Sequence, residues 1–266
     1  NLFGLEPNFR CCTANFHQGW PKFANSLWMA TADKGLAVMS YAPCTVSTVV
    51  RSVPVVVEQV SDYQFRQTVS ITVRPQHAVA FPLQLRMPAW SKGTRIAVNG
   101  KPVATTSGFT TIDRTWAPGD TVEVVFDAEV KVERGYNGAL SFSRGALVYA
   151  LPIEENWLIW RKRAPTNDWQ VYPGSRWNVG MKPDAAITVS EHPVGDRPFA
   201  GASSAVKLTM QARYVPAWKA SDGSADPVPA NAEPSADESA QSITLVPYAG
   251  AKLRITAFPA LSGEHA

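Results

Sequence analysis

The residues best suited to do chemistry lie in one short segment, residues 10–17, which reads Arg-Cys-Cys-Thr-Ala-Asn-Phe-His. Its adjacent cysteines, Cys11 and Cys12, do not readily form a disulfide with each other, because the eight-membered ring strains the peptide between them. As thiolates, both could bind one Zn²⁺ at about 2.3 Å if the backbone turns locally. A metal-bound sulfur is deprotonated and is therefore a nucleophile at neutral pH. Two small buried residues are the other common use of adjacent cysteines, and the pair alone leaves both interpretations open.

His17 follows Cys12 by five residues, so its imidazole could face the same pocket. A hydrogen bond to a backbone group at a helix end is an equally good use of that side chain. The other histidines stand beside predicted turns or near the terminus, and we expect them at the surface: His77, His192 and His265. Cys44 closes a predicted strand, where we expect a small buried residue.

Other catalytic signatures are absent from the sequence. It contains no P-loop, no dinucleotide glycine motif, no G-x-S-x-G and no H-E-x-x-H. The glutamates on or beside predicted strands show no feature that singles out one of them as a catalytic acid: Glu58, Glu123, Glu129 and Glu133. The basic run at residues 160–163 could stack bases or sugars, but a solvated loop over a core tryptophan is the interpretation that we favour.

Composition restricts the class of partner. The net charge is +3 over 266 residues, which is a weak argument for binding a polyanion such as nucleic acid. No run of 18 apolar residues occurs, so the sequence predicts no membrane span. Three cysteines cannot form a disulfide framework, and 21 Pro, 17 Gly and nine Trp indicate a mostly β chain rich in loops.

The cysteine segment precedes a predicted helix that starts near Pro21, a residue suited to the first turn of a helix. Apolar residues at helical spacing run from Phe23 to Thr31, and Gly35 follows as the predicted C-cap. A single helix with a wide aromatic stripe needs other helices to pack against. We therefore expect this chain to be part of a longer protein.

Residues 46–155 show alternating apolar and polar positions, which predict successive antiparallel strands of a β-sandwich. On the strand that ends near Arg74, for example, Val69, Ile71 and Val73 should share one face. Asn99-Gly100 is the strongest hairpin signal. Residues 156–266 are less regular, with strands predicted near 207–214, 243–246 and 252–256. Within them, residues 220–240 read as a long surface loop or a disordered insert.

The cysteine segment and a series of other motifs resemble glycoside hydrolase family 127, the β-L-arabinofuranosidase-like proteins. Residues 10–15 and 17–23 are similar to the family's Cys-Cys-x-x-Asn segment, and residues 85–90 are similar to its Leu-Arg-(Ile/Met)-Pro-x-Trp motif. Further similar motifs follow in the same order along the chain: residues 98–100, 114–120, 144–149, 177–178 and 245–254.

The resemblance implies a division of the chain. Residues 1–45 would be the C-terminal end of an (α/α)6 catalytic barrel, incomplete here. Residues 46–155 would form the β-sandwich, and residues 156–266 a second β-rich region with a flexible loop at 220–240. The expected fold is thus mainly β, an antiparallel β-sandwich with a short helical remnant that packs on a barrel absent from this chain.

The resemblance also implies a mechanism. Family members are retaining glycosidases that hold zinc through three cysteines and one glutamate, and a second glutamate is the acid/base. By this resemblance, Cys11 would be the nucleophile and a zinc ligand, and Cys12 a further zinc ligand. His17 would contact the substrate. The other metal ligands and the acid/base would lie upstream, so the zinc site is incomplete and the chain alone should be inactive. The implied substrate is an oligosaccharide or glycan, with L-arabinofuranose as the best single sugar. The alternative is a non-catalytic carbohydrate-binding or structural β-sandwich module.

Overall fold

The computed structural model describes residues 2–4 and 10–261. The chain divides into two compact units, one of residues 15–129 and the other of residues 1–14 and 130–266. Strands dominate both units, which confirms the mainly β fold with several antiparallel sheets. Among the described residues, no helix is long and apolar enough to cross a membrane.

The helical part is short. Strand β1 (Leu2–Phe3) is followed by helix α1 (Arg10–Asn15), a 3₁₀ turn (Phe16–Gln18) and helix α2 (Gly19–Asn25). The prediction that the helix continues to Thr31 is wrong, because strand β2 begins at Trp28. The side chain of Trp28 is buried in the core between the sheets, and the Thr31 amide donates to the Gly35 carbonyl to close a hairpin. Gly35 therefore belongs to a β-turn region and caps no helix.

The unit of residues 15–129 contains two sheets. The four-stranded sheet has the order β10-β7-β3-β2, and the six-stranded sheet has the order β4-β5-β6-β11-β8-β9. All neighbouring strands are antiparallel except β3 and β7. The strands are β2 (Trp28–Ala30), β3 (Leu36–Val38), β4 (Cys44–Val50), β5 (Val53–Ser61), β6 (Thr68–Pro75), β7 (Val79–Arg86), β8 (Arg95–Val98), β9 (Lys101–Val103), β10 (Phe109–Trp116) and β11 (Asp120–Val125).

Alternation decides which faces of these strands are buried. In β6, Val69, Ile71 and Val73 are buried on one face, as the sequence predicts, because successive side chains of a strand point to opposite sides. The buried faces of both sheets join in one core cluster. Trp116 is fully buried in it, and its indole N–H donates to the Phe81 carbonyl at 2.9 Å. That bond satisfies the single polar group of this fully buried indole.

The hairpin between β8 and β9 also follows the prediction. Asn99 and Gly100 both have positive φ, 49° and 76°, which is the geometry of a type I′ turn. The Asn99 side chain also accepts from the amide of Thr121 at 2.8 Å and donates to Asp120 at 2.8 Å. The turn is thereby fixed to β11, the neighbour of β8 in the sheet.

The unit of residues 130–266 is built on an eight-stranded sheet with the path β12-β13-β14-β22-β19-β17, on which β18 pairs with β19 and β23 with β14. A three-stranded sheet has the order β1-β16-β15, and β20 and β21 form a small hairpin. The strands are β12 (Val130–Arg134), β13 (Leu140–Arg144), β14 (Leu147–Pro152), β15 (Glu155–Arg161), β16 (Asp168–Pro173), β17 (Val179–Gly180), β18 (Thr188–Glu191), β19 (Val206–Tyr214), β20 (Ala220–Ser221), β21 (Ser224–Ala225), β22 (Gln241–Pro247) and β23 (Arg254–Ile255), with 3₁₀ turns at Tyr136–Gly138, Gly201–Ser203 and Tyr248–Gly250.

Residues 220–240 form a surface loop that begins with the β20–β21 hairpin. Several side-chain hydrogen bonds attach the loop to its own unit. The Trp218 indole N–H donates to the Asp226 carbonyl at 2.8 Å, and the Asn137 side-chain amide donates to the Val228 carbonyl at 2.9 Å. Of the two alternatives predicted for this segment, the surface loop matches these contacts.

We expect Gly100→Ala to lower the free energy of unfolding by about 1 kcal/mol, the cost of a left-handed conformation in a residue with a Cβ. A Cβ at Gly100 meets nothing within 4 Å, so the cost comes from the backbone alone. Gly195→Ala is the control, because its Cβ also meets nothing within 4 Å and its φ is not positive. Urea unfolding measures both, and an unchanged stability in Gly100→Ala would contradict the turn assignment.

The Asp120 carboxylate predicts an acid-sensitive contribution to stability. Burial alone would raise its pKa, but hydrogen bonds from the Ala117 amide and Asn99, together with Arg114 at 3.3 Å, lower it below the ordinary value. A lowered folded pKa stabilises the protein above the ordinary aspartate pKa of about 3.9, and this stability is lost as the pH falls through the folded pKa. Asp120→Asn should cost about 1 kcal/mol at neutral pH and less in acid.

The measurement is urea unfolding of the wild type and Asp120→Asn at neutral and acidic pH. The matched control is Asp113→Asn, which changes an exposed aspartate of β10. An Asp120→Asn deficit that stays constant down to strongly acidic pH would show that the carboxylate charge contributes nothing.

Candidate functional site

The adjacent cysteines lie on helix α1, and both side chains are exposed. Their sulfur atoms are 3.7 Å apart. A tetrahedral zinc ion with Zn–S bonds of about 2.3 Å places two ligand sulfurs roughly 3.8 Å apart. The spacing of Cys11 and Cys12 thus fits two ligands of one zinc ion, and both thiols are exposed in this chain.

The segment that follows the cysteines is apolar and exposed. Helix α2 buries none of its residues, and Phe16, Trp20 and Phe23 are 81%, 69% and 47% exposed. His17 lies in the 3₁₀ turn and is also exposed. It belongs to the unit of residues 15–129, whereas both cysteines belong to the other unit. The structure therefore brings the two thiols together, and the placement of His17 toward a substrate stays a prediction.

Cys44 differs from the pair in its surroundings. It begins strand β4 instead of ending a strand, and it is half-buried. Burial raises the pKa of its thiol, and an interaction with the Trp28 side chain lowers that pKa by a smaller amount. A thiol with a raised pKa is a poor metal ligand at neutral pH. Over residues 2–4 and 10–261, no three His, Cys, Asp or Glu side chains are grouped to hold a metal ion.

The remaining candidates are surface residues. His77 and His192 are exposed, as predicted, and His265 lies outside the described residues. Glu58 forms an ion pair with Arg74 at 2.6 Å across neighbouring strands.

The basic run at residues 160–163 departs from the predicted solvated loop. Trp160 and Arg161 lie in strand β15, and the Arg161 guanidinium sits over the Trp160 ring at 4.6 Å. Trp160 is 40% exposed, so it is no core residue. The extended conformation of β15 depends on its pairing with β16, which follows a loop that contains a proline. The residues of β15 alone show no clear alternation that predicts a strand.

The unit of residues 130–266 also contains a concave site that the sequence did not predict. A cleft of about 550 Å³ lies between β16, β23, the β20–β21 hairpin and the turn at Tyr248. These elements are separated by tens of residues in the sequence, so no motif or spacing could reveal it.

Comparison with known proteins identifies the fold. Residues 35–128 match the family model described as "Beta-L-arabinofuranosidase, GH127 middle domain". The predicted resemblance to glycoside hydrolase family 127 is confirmed. The matched stretch runs from β3 to the end of the two-sheet unit. No curated protein matches the chain.

Solved structures extend the likeness to nearly the whole chain. Ara127N-Se, a GH127 β-L-arabinofuranosidase from Geobacillus stearothermophilus T6, has a TM-score of 0.67 at 22% identity, covering 95% of this chain and 37% of its own. A protein described as a glycoside hydrolase has a TM-score of 0.67 at 22% identity, covering 97% and 40%. The GH127 β-arabinofuranosidase BT3674 has a TM-score of 0.67 at 18% identity, covering 94% and 38%. The chain shares their fold and spans less than half the length of each.

We expect iodoacetamide at neutral pH to alkylate Cys11 and Cys12 well before Cys44, because the first two are exposed whereas Cys44 is half-buried with a raised pKa. A time course read by peptide mass spectrometry measures each site. In urea, where the chain is unfolded, the three cysteines should be alkylated at similar rates. Equal rates at the three sites in the folded protein would contradict the described environment of Cys44.

Proposed function

We propose that this chain is the C-terminal portion of a zinc-dependent, retaining glycoside hydrolase that resembles the β-L-arabinofuranosidases. The observation that carries the proposal is the 3.7 Å spacing of two exposed sulfurs, which suits two ligands of one zinc ion. The GH127 match over residues 35–128 supports the same class of enzyme. The activity belongs to the longer protein, of which this chain would supply one part.

Within the site, Cys11 would be the nucleophile and a zinc ligand, and Cys12 a second ligand. A bound zinc ion would keep the Cys11 thiol deprotonated at neutral pH. Since the described residues offer no further grouped donors, a third cysteine and a glutamate would come from polypeptide outside this chain. His17 would contact the substrate from the turn that follows α1.

The proposed reaction conserves the anomeric configuration through two displacements. The Cys11 sulfur attacks the anomeric carbon, and the glycosidic C–O bond breaks as its electron pair goes to the leaving oxygen. A glutamate outside this chain gives that oxygen a proton. Water then attacks the same carbon, gives its proton back to the glutamate and displaces the Cys11 thiolate. Each displacement inverts the carbon, so the product retains the original configuration.

The substrate class that the resemblance favours is a glycan ending in L-arabinofuranose. The isolated chain would be inactive, because half of the metal ligands and the acid/base are missing. Phe16 and Trp20 of the helical segment are largely exposed in this chain. An (α/α)6 barrel in the longer protein would cover these apolar side chains, and their exposure here supports this arrangement.

The alternative is a non-catalytic carbohydrate-binding or structural module. Of the nine tryptophans, Trp20, Trp157 and Trp160 are exposed, and exposed aromatic rings can stack on sugars. Affinity electrophoresis of the isolated chain in gels with arabinan or pectin separates the two roles. Retardation would support a binding module, and unchanged mobility in both gels would leave a packing role.

In the longer protein, we expect Cys11→Ala to lower kcat for an aryl-arabinofuranoside by roughly 10⁴-fold or more, as loss of a nucleophile does in other enzymes. Cys12→Ala should lower the zinc content measured by elemental analysis together with kcat. Cys44→Ala is the matched control, and its turnover and zinc content should remain at the wild-type values. Retained turnover in Cys11→Ala would remove the assignment of the nucleophile.

A further inference from the structure

The cleft in the unit of residues 130–266 has the form of a ligand site. Its volume of about 550 Å³ falls in the range of small-molecule pockets, which are concave and mostly apolar with a few polar groups. Its apolar lining includes Ile153, Val171 and Leu253, which are buried and form one hydrophobic cluster. These buried side chains form the apolar floor of the cleft.

Two tyrosines in the lining offer ring surface to a ligand. Tyr172 and Tyr248 line the cleft and are 46% and 47% exposed. Half-exposed rings lose water on contact with a ligand, and a tyrosine also has a hydroxyl for hydrogen bonding. Trp177 adds a third ring and is fixed by an edge-on contact with the buried Trp218, with ring centroids 5.0 Å apart.

Among the residues that the structure describes, the charged side chains in the lining are both cations. They belong to Lys252 and Arg254, and no carboxylate side chain of the described residues lines the cleft. The Arg254 guanidinium lies over the Tyr248 ring, 3.7 Å from its centroid. One of its terminal nitrogens, Nη1, donates to the Ala251 and Lys252 carbonyls.

These contacts orient the guanidinium in advance. Its Nε and Nη2 bond no described residue and remain available to an acceptor. Lys252 is 61% exposed, and its amine is 3.9 Å from a Glu155 oxygen, a spacing at which surface ion pairs contribute little. An incoming anion therefore has two cations to contact without breaking a strong existing pair.

We propose that this cleft binds a sugar residue that carries a carboxylate, as in a uronate-containing glycan. The sugar ring would pack on Tyr248 or Tyr172, and the carboxylate would accept hydrogen bonds from Arg254, whose forked donors match that group. The choice of a sugar rests on the proposed function of the longer protein. The described residues that line the cleft fall between 153 and 256, and Cys11 is not among them.

The test is isothermal titration calorimetry of the full chain with trigalacturonate, neutral arabinotriose and sodium sulfate, in low-salt buffer with a chelator present. We expect binding of trigalacturonate that weakens as sodium chloride is added, because salt screens exposed charges. Arabinotriose and sulfate should bind at least about tenfold more weakly, since each lacks one of the two recognised groups. Equal binding of sulfate or of arabinotriose would overturn the proposal.

Variants locate the binding. Lys252→Ala, Arg254→Lys and Tyr248→Ala should each weaken trigalacturonate binding several-fold to about tenfold. Lys182→Ala and Tyr136→Ala are the matched controls, because both residues are exposed in the same unit and neither lines the cleft. Thermal unfolding verifies that every variant folds.

Unchanged affinity in all three cleft variants, or no binding by the wild type, would refute the proposal. Neither result bears on turnover by the longer protein, which depends on Cys11. Conversely, a Cys11→Ala enzyme that keeps its activity would remove the proposed mechanism and leave the binding data standing.

Discussion

Two thiols on consecutive residues can hold one metal ion only if the backbone keeps their sulfurs just under 4 Å apart. In helix α1 the Cys11 and Cys12 sulfurs meet this condition at 3.7 Å while both side chains remain exposed. A tetrahedral ion needs two more ligands, and Cys44 is set apart by its half-buried place on a β-strand. The proposed chemistry therefore requires a longer protein, and the greater length of the matched GH127 structures is consistent with this.

The fold around this segment is dominated by sheet packing. The helical run from Arg10 to Asn25 leads directly into β2, whose Trp28 is buried in the core of the two-sheet unit. The short loop between α2 and β2 thus connects the helical run directly to the two-sheet unit. The apolar side chains of α2 do not pack in that core, since none of them is buried. A helix of two turns is marginal without tertiary contacts, and the barrel proposed above would supply such contacts.

Local patterns predicted individual strands and turns of the two-sheet unit well. The buried face of β6 follows from alternation at Val69, Ile71 and Val73, and the β8–β9 turn follows from Asn99-Gly100, because both signals act within a few residues. The prediction of a helix up to Thr31 was wrong because Trp28 lies in β2, a strand of a sheet that includes β7 and β10 from distant parts of the sequence. The helical spacing of apolar residues over 23–31 does not report such strand pairing.

The candidate sites differ in the same way. The cysteine pair is contiguous, so the sequence alone could point to two neighbouring thiols, and their role in zinc binding stays a prediction. The cleft beside Tyr248 brings together residues from Ile153 to Thr256 and becomes visible only in the folded unit. The β15 strand was likewise missed, since its apolar residues stand next to Arg161 and a proline-containing loop that suggested irregular structure.

The most direct test of the zinc–thiolate claim is X-ray absorption spectroscopy at the zinc edge of the longer protein. We expect sulfur scatterers at about 2.3 Å from zinc and one fewer of them in Cys12→Ala. A zinc shell of nitrogen and oxygen alone, or a sulfur count unchanged in Cys12→Ala, would contradict it.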